Sequence, residues 1–353
     1  MAGVTSLTAA ACNSMLGLQV KSAILGAGIA FSIGSVLLLA GVFLTAPATG
    51  AFEFSRRPKP WELAGGFCGA LYMVTVVWAA PELGAAGLFS AVVAGQLASS
   101  VLVDWVGLNG QAPVPLTVYR TLCVLFAALG ASLTAPGAHD APHSTPHAHL
   151  TMIKGAHSSL TFLAIATAAA GAMQPLQAAL NARVATIFGG ADGSPRPLPA
   201  AAISFSLSAL LTLTTGVFLL KHDIWANLST ALLTAPPIAL FGAPAQALTL
   251  LAGATIPRYL GTANYYTLLI CGEMAGGLVA DAVGMMGLEQ KAPTAPRVGG
   301  AVLICIAAAA LGLLTKKPEV VQAEILKKEA SSSTAVAESI SLGLAVPEGC
   351  KFM

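Results

Sequence analysis

The chain has 353 residues, 56% of them hydrophobic and only 9% charged, with a mean hydropathy of +0.79 and a formal net charge of +2. A soluble domain carries about 25% charged residues, so this composition excludes an ordinary water-soluble globule. No basic cluster is interleaved with aromatics, which excludes a nucleic-acid binder.

Crossing a hydrocarbon core of ~30 Å takes about 20 apolar residues at about 1.5 Å each. Runs at 22–45, 84–103, 200–220 and 298–315 meet that length and lack the polar face of a soluble amphipathic helix. In chain order the apolar runs predict ten helices: 2–18, 22–45, 61–80, 84–104, 117–135, 158–182, 200–220, 232–253, 260–281 and 297–315. The first has neither a basic start nor a cleavage site, so it reads as a helix rather than a signal peptide. Residues 136–157 form a His-rich polar linker, and 316–353 a charged, Ser-rich tail expected to be disordered. Six cysteines (12, 68, 123, 271, 305 and 350) lack metal-ligand spacing and read as small hydrophobes.

The two halves repeat each other. Gly84 pairs with Gly261, Gly95 with Gly272, Asp104 with Asp281, Gly107 with Gly284 and Arg120 with Arg297, all at one constant offset along the chain. In the opening helices Asn13 answers Asn181. The reading is a duplicated five-helix unit: 1–135 as the first repeat, with a short first helix, and 158–315 as the second. An odd number of helices inverts the second copy, the plan of many secondary transporters. With the N-terminus inside, the inner loops hold Arg56, Arg57, Lys59, Arg120, Arg183, Arg196 and Arg258. The outer loops hold Lys21, Lys154, Lys221, Lys291 and Arg297, and the tail adds Lys316, Lys317, Lys327 and Lys328 to the inner side.

The stretches "GAAGLFSAVVAGQLASSVLVDWVGL" and "QPLQAALNARVATIFG" resemble the YdcZ-like family of the drug/metabolite transporter superfamily, in its fused-duplication form. The resemblance covers about residues 10–315 and implies a ten-helix transporter fold in a plasma or inner membrane, exporting a small solute. Small multidrug transporters of that superfamily use a carboxylate in the opening helix. Neither 2–18 nor 158–182 contains one, so that role does not carry over by position.

The candidate solute and ion pathway starts from Glu273, a carboxylate at membrane depth, with Gln96 at the equivalent position of the first copy. Such a group costs several kcal/mol unless paired, protonated or wetted, which makes it a functional candidate; a neutral carboxyl that only ties helices is the alternative. Gln177 and Asn181 share a helix face, with Gln174 and Pro175 just before them, and Asn13 is the symmetry mate of Asn181. These amides either tie helices or line a polar cavity. Matched interruptions in helices 3 (Gly65, Gly66, Gly69) and 8 (Pro236, Pro237, Gly242, Pro244, Gln246) point to a site, or else to close helix packing. Tyr72, Trp78, Tyr265 and Tyr266 read as aromatic walls or interfacial anchors.

Asp104 with Arg120, and Asp281 with Arg297, have the same spacing in both copies and read as structural ion pairs at the membrane edge. His139, His143, His147, His149 and His157 lie in the linker. The first four are weak zinc or copper candidates, with flexible filler the expected role. No cofactor or resident metal is expected. The expected partners are a small organic solute, protons as coupling ion and the lipid bilayer; a homodimer stays open. Rival readings are a non-transporting membrane scaffold and a metal-ion carrier using the histidine loop. No nucleophile–base pair suggests an enzyme.

Cysteines placed at 52 and 226 should label from opposite sides of the membrane. Labelling from one side contradicts the inverted repeat.

Overall fold

The computed structural model describes residues 2–49, 55–110, 113–134, 160–188, 194–226, 228–284, 290 and 292–314. The histidine linker and the charged tail lie outside these residues. Within lipid every backbone polar group must be satisfied inside its own segment, and the apolar runs accordingly fold as helices. They are α1 Ala2–Gln19, α2 Ala23–Thr49, α3 Gly65–Val106 after a 3-10 turn at Pro60–Ala64, α4 Val118–Thr134, α5 Leu160–Ile187 and α6 Pro197–Leu219. There follow the short α7 His222–Ala226, α8 Leu228–Thr234 and α9 Pro237–Leu240, then α10 Gly242–Thr255, α11 Pro257–Leu260, α12 Thr262–Val283 and α13 Ala295–Leu314. No strand occurs among the described residues. This is an all-α membrane protein.

The break between the predicted helices 3 and 4 falls within α3 at Gly84, whose φ of 71° and ψ of 172° are open to glycine and strained for other residues. Another boundary differs from the sequence reading. The predicted helix at 232–253 is divided into α8, α9 and α10, because Pro236 and Pro237 stop α8 and Pro244 lacks an N–H. The expected interruption of helix 3 at Gly65, Gly66 and Gly69 is absent: the backbone is helical there, and those glycines serve close packing.

Mate residues of the two copies take the same conformations. Gly261 mirrors Gly84 with φ 84° and ψ 153°, and Gly107 and Gly284 both end their helices in the left-handed region, at φ 67° and 62°. Their contacts repeat as well. A side chain on Gly95 would collide with the Ala168 carbonyl of α5, and one on its mate Gly272 with the backbone of Gly3 in α1. Gly171 faces the Val92 carbonyl, and Gly3 faces that of Leu269, the mate of Val92.

The polar ends are exchanged between the halves. Asp281, at the C-terminal end of α12, accepts the backbone N–H groups of Ala85 (2.7 Å) and Ala86 (3.0 Å), just after the Gly84 break. Asp104 accepts the Thr262 hydroxyl and the Ala263 N–H, just after Gly261. Thr262 and Ala263 are the mates of Ala85 and Ala86. The second half of α3 therefore runs antiparallel to α12, each capping the start of the other with its terminal aspartate. This satisfies N–H groups that the helix start leaves without intrahelical partners. Asp104 also pairs with Arg120 at 2.9 Å, as its spacing predicts, and Asp281 and Arg297 are likewise buried.

Mate helices α2 and α6 pack together, with Phe31 edge-on to Phe205 at 5.2 Å, and so do α4 and α13. Connections sort to two ends. At one, Ser55 bonds Ile187, Arg183 reaches the Leu108 carbonyl at 2.7 Å and stacks on Trp61, and Asn109 bonds Thr262. At the other, Gln19 bonds Thr234 at 2.9 Å.

Asp281→Ala removes two charge-assisted hydrogen bonds from buried amides and should destabilise the protein by about 3 kcal/mol. Thermal unfolding in detergent checks this, and an unchanged melting temperature contradicts it.

Candidate functional site

Glu273 sits halfway along α12, with no solvent-exposed surface. Its position follows from the capping exchange. Gln96 follows Gly84 by the same number of positions as Glu273 follows Gly261, so antiparallel helices fixed at both ends bring the two to the same depth. The Gln96 side chain lies alongside the Glu273 carboxyl. Oε1 of Glu273 accepts the Ser6 hydroxyl of α1 at 2.5 Å. Gln96 donates through Nε2 to Gln174 Oε1 of α5 at 2.6 Å.

These four residues form two symmetry-related pairs. The offset that relates Asn13 to Asn181 in the opening helices also relates Ser6 to Gln174, while Gln96 and Glu273 share the offset of the conserved glycine pairs. One copy holds an amide–amide bond where the other holds a hydroxyl–carboxyl bond. Two acceptors in the group, Glu273 Oε2 and Gln96 Oε1, are buried without a donor. A proton on Oε2 makes that oxygen a donor and gives the cluster the hydrogen it lacks. The Ser6 hydroxyl, whose one hydrogen is on Glu273, is thus the group that stands between the carboxyl and the side of Tyr72.

Ser6 faces a cavity of about 40 Å³ lined also by Tyr72, Gln174, Gln177, Gln246 and Tyr265, with Met73, Phe205, Thr249 and Tyr266 among the other walls. A water needs roughly 10–15 Å³ of such volume, and drug-sized ligands occupy pockets of roughly 300–1,000 Å³. As it stands the cavity has room for water and not for an organic solute, which requires the helices around it to part.

Of the sequence candidates, Tyr72, Gln177, Gln246 and Tyr265 line the cavity, while Glu273 and Gln96 lie directly behind its wall. Asn13 and Asn181 do not line it. Asn13 donates to Gln246 Oε1 at 3.0 Å, and Asn181 lies against Gly65. The mate of Gly65 is Gly242, and it lies against Asn13. Gln177 donates to Ser204 at 3.2 Å and fills the space beside Gly69, whose mate is Gln246. Asp104, Arg120, Asp281 and Arg297 belong to the helix ends and not to the cavity. Among the described residues no cluster of three His, Cys, Asp or Glu could hold a metal. Ser6 escaped the sequence reading: a serine in an apolar helix has no signal of its own, although the offset between Asn13 and Asn181 pairs it with Gln174.

A family model described as "Putative inner membrane exporter, YdcZ" matches residues 1–133 and 162–310, one segment in each half. The chain belongs to the YdcZ-like family of the drug/metabolite transporter superfamily. This YdcZ-like protein is a multi-pass membrane protein of the transporter class. A solved structure titled "Crystal structure of protein" is 17% identical, aligned over 89% of this chain and 99% of the other at a TM-score of 0.44. A search of curated proteins returns no match.

The Ser6–Glu273 bond is testable by a double-mutant cycle with Ser6→Ala and Glu273→Met, which each remove one partner of the bond. The two changes should be coupled by about 1 kcal/mol in detergent unfolding, and strict additivity contradicts a direct bond.

Proposed function

We propose that this protein exports a small organic solute by alternating access between two inverted halves, 1–135 and 158–315, with the proton on Glu273 as the coupling ion. One observation carries the reading. A fully buried carboxyl, facing Ser6 and Gln96 and no basic group among the described residues, is linked through the Ser6 hydroxyl to a polar cavity at the interface of the halves. A buried carboxyl without a cation is stable when neutral, and it can be charged only when water or a counter-charge reaches it. Opening the cavity brings water to Ser6 and lets the proton leave; closing it restores the neutral form. A group that holds its proton in one state and exchanges it in another is what coupling to a proton gradient requires.

The convergence of Ser6, Gln96, Gln174 and Glu273 also argues against a scaffold, which has no need of polar residues meeting at mid-depth. The cytoplasmic side is assigned to the end that holds Arg56, Arg57, Lys59, Arg183 and Arg196. A comparison of metabolites released by cells with and without the protein tests the export reading without choosing a substrate beforehand. No difference in any solute contradicts it.

Two variants divide the mechanism from its rivals. Glu273→Gln should fold and reach the membrane, because glutamine already occupies the mate position at Gln96. It should lose proton-driven accumulation while keeping some solute binding. Normal accumulation with unchanged pH dependence reduces Glu273 to a helix tie. Deleting 139–149, which removes His139, His143, His147 and His149, should leave transport intact; loss restored by added zinc favours the metal-carrier reading.

A further inference from the structure

The two copies share a backbone, so the side chains in which they differ at the cavity carry information that the shared ones do not. Three differences lie on α12. Tyr265 stands where the first copy has Leu88, Tyr266 where it has Phe89, and Glu273 where it has Gln96. Tyr265, Leu269 and Glu273 recur every fourth residue and so form one stripe of the helix. The two tyrosine rings meet edge to face at 5.1 Å, and with Tyr72 and the Met73 thioether they make one wall of the cavity. The corresponding first-copy residues Leu88, Phe89 and Val92 do not line it.

We infer that the solute of this cavity is an organic cation, an ammonium or quaternary ammonium bearing an apolar group. This rests on the carrier reading above and names its substrate class. Aromatic rings present a negative face that attracts a desolvated cation, and quaternary ammonium ions are held by such walls. The Glu273 carboxyl stands one hydroxyl behind the wall, through Ser6. No Lys, Arg or His lines the cavity. An anion would meet ring faces and a carboxyl with nothing to offset its charge. A sugar-like solute would leave most of its hydroxyls against Met73, Phe205 and the ring faces without partners. The charge class of the solute is thus written into the second copy.

The test is counterflow in proteoliposomes of the full chain with three labelled probes that each carry one phenyl ring: benzyltrimethylammonium, benzenesulfonate and phenyl β-glucoside. The expected result is exchange of the ammonium alone. Tyr265→Leu, which installs the residue the first copy already tolerates, should weaken that exchange about tenfold, while Tyr265→Phe, which keeps the ring, stays within about twofold. Exchange of the sulfonate or the glucoside without the ammonium overturns the cation assignment and leaves the carrier reading standing. Exchange of none of the three also overturns it, and the metabolite comparison then decides the carrier reading alone. Full ammonium exchange by Tyr265→Leu overturns the assignment to the tyrosine wall.

Discussion

The structure depends on one exchange: the terminal aspartate of each central helix bonds the first residues of its antiparallel partner, at backbone amides and at the Thr262 hydroxyl. Asp281 holds Ala85 and Ala86, and Asp104 holds Thr262 and Ala263. In a hydrocarbon environment those amides have no water to turn to, so the bonds fix both the direction and the register of the helix pair. Any slip in register would break both caps at once. With the ends fixed, Gln96 and Glu273 must meet at the same depth, and the opening helices α1 and α5 close over them at Gly272 and Gly95. The positive φ at Gly84 and Gly261 is the local condition that lets the chain turn into each cap.

Symmetry in the frame makes asymmetry at the centre meaningful. The first copy places an amide at mid-depth and bonds it to another amide; the second places a carboxyl there and bonds it to a hydroxyl. Large and small residues are likewise traded: Gln177 lies beside Gly69, and at the mate positions Ala9 and Gln246 line the same cavity. The volume is conserved while the polar groups shift toward one side. In the proposed mechanism the two copies are the alternating halves, and only the second carries a carboxyl at mid-depth.

Much of the fold was legible in the sequence because lipid imposes simple rules. Apolar runs long enough to span the bilayer became helices, and the constant offset between glycine and aspartate pairs marked the repeat. Glu273 stood out because a carboxylate among apolar residues needs a reason. Other features were silent. The spacing of Asp104 and Arg120 predicted their local ion pair, yet gave no sign that each aspartate also caps a helix of the other half. Spacing within one copy carries no information about partners in the other. The glycines of helix 3 looked like an interruption and proved to be cradles for Gln177 and Asn181, since glycine permits either. Conversely, Pro236 and Pro237 did break helix 8, because a ring without an N–H leaves the backbone no choice. Ser6 was invisible until the opposite helix placed a carboxyl beside it.

The most direct test is a pair of distance measurements by double electron–electron resonance, in a background without native cysteines. One pair of spin labels at Glu82 and Val283 spans the cap made by Asp281. Its symmetry mate at Val106 and Tyr259 spans the cap made by Asp104. All four positions are exposed. The account predicts a short distance at both ends that persists under a solute or proton gradient, because the two caps hold the helix pair in register. Lengthening at either end contradicts the exchange as the fixed frame of the two halves.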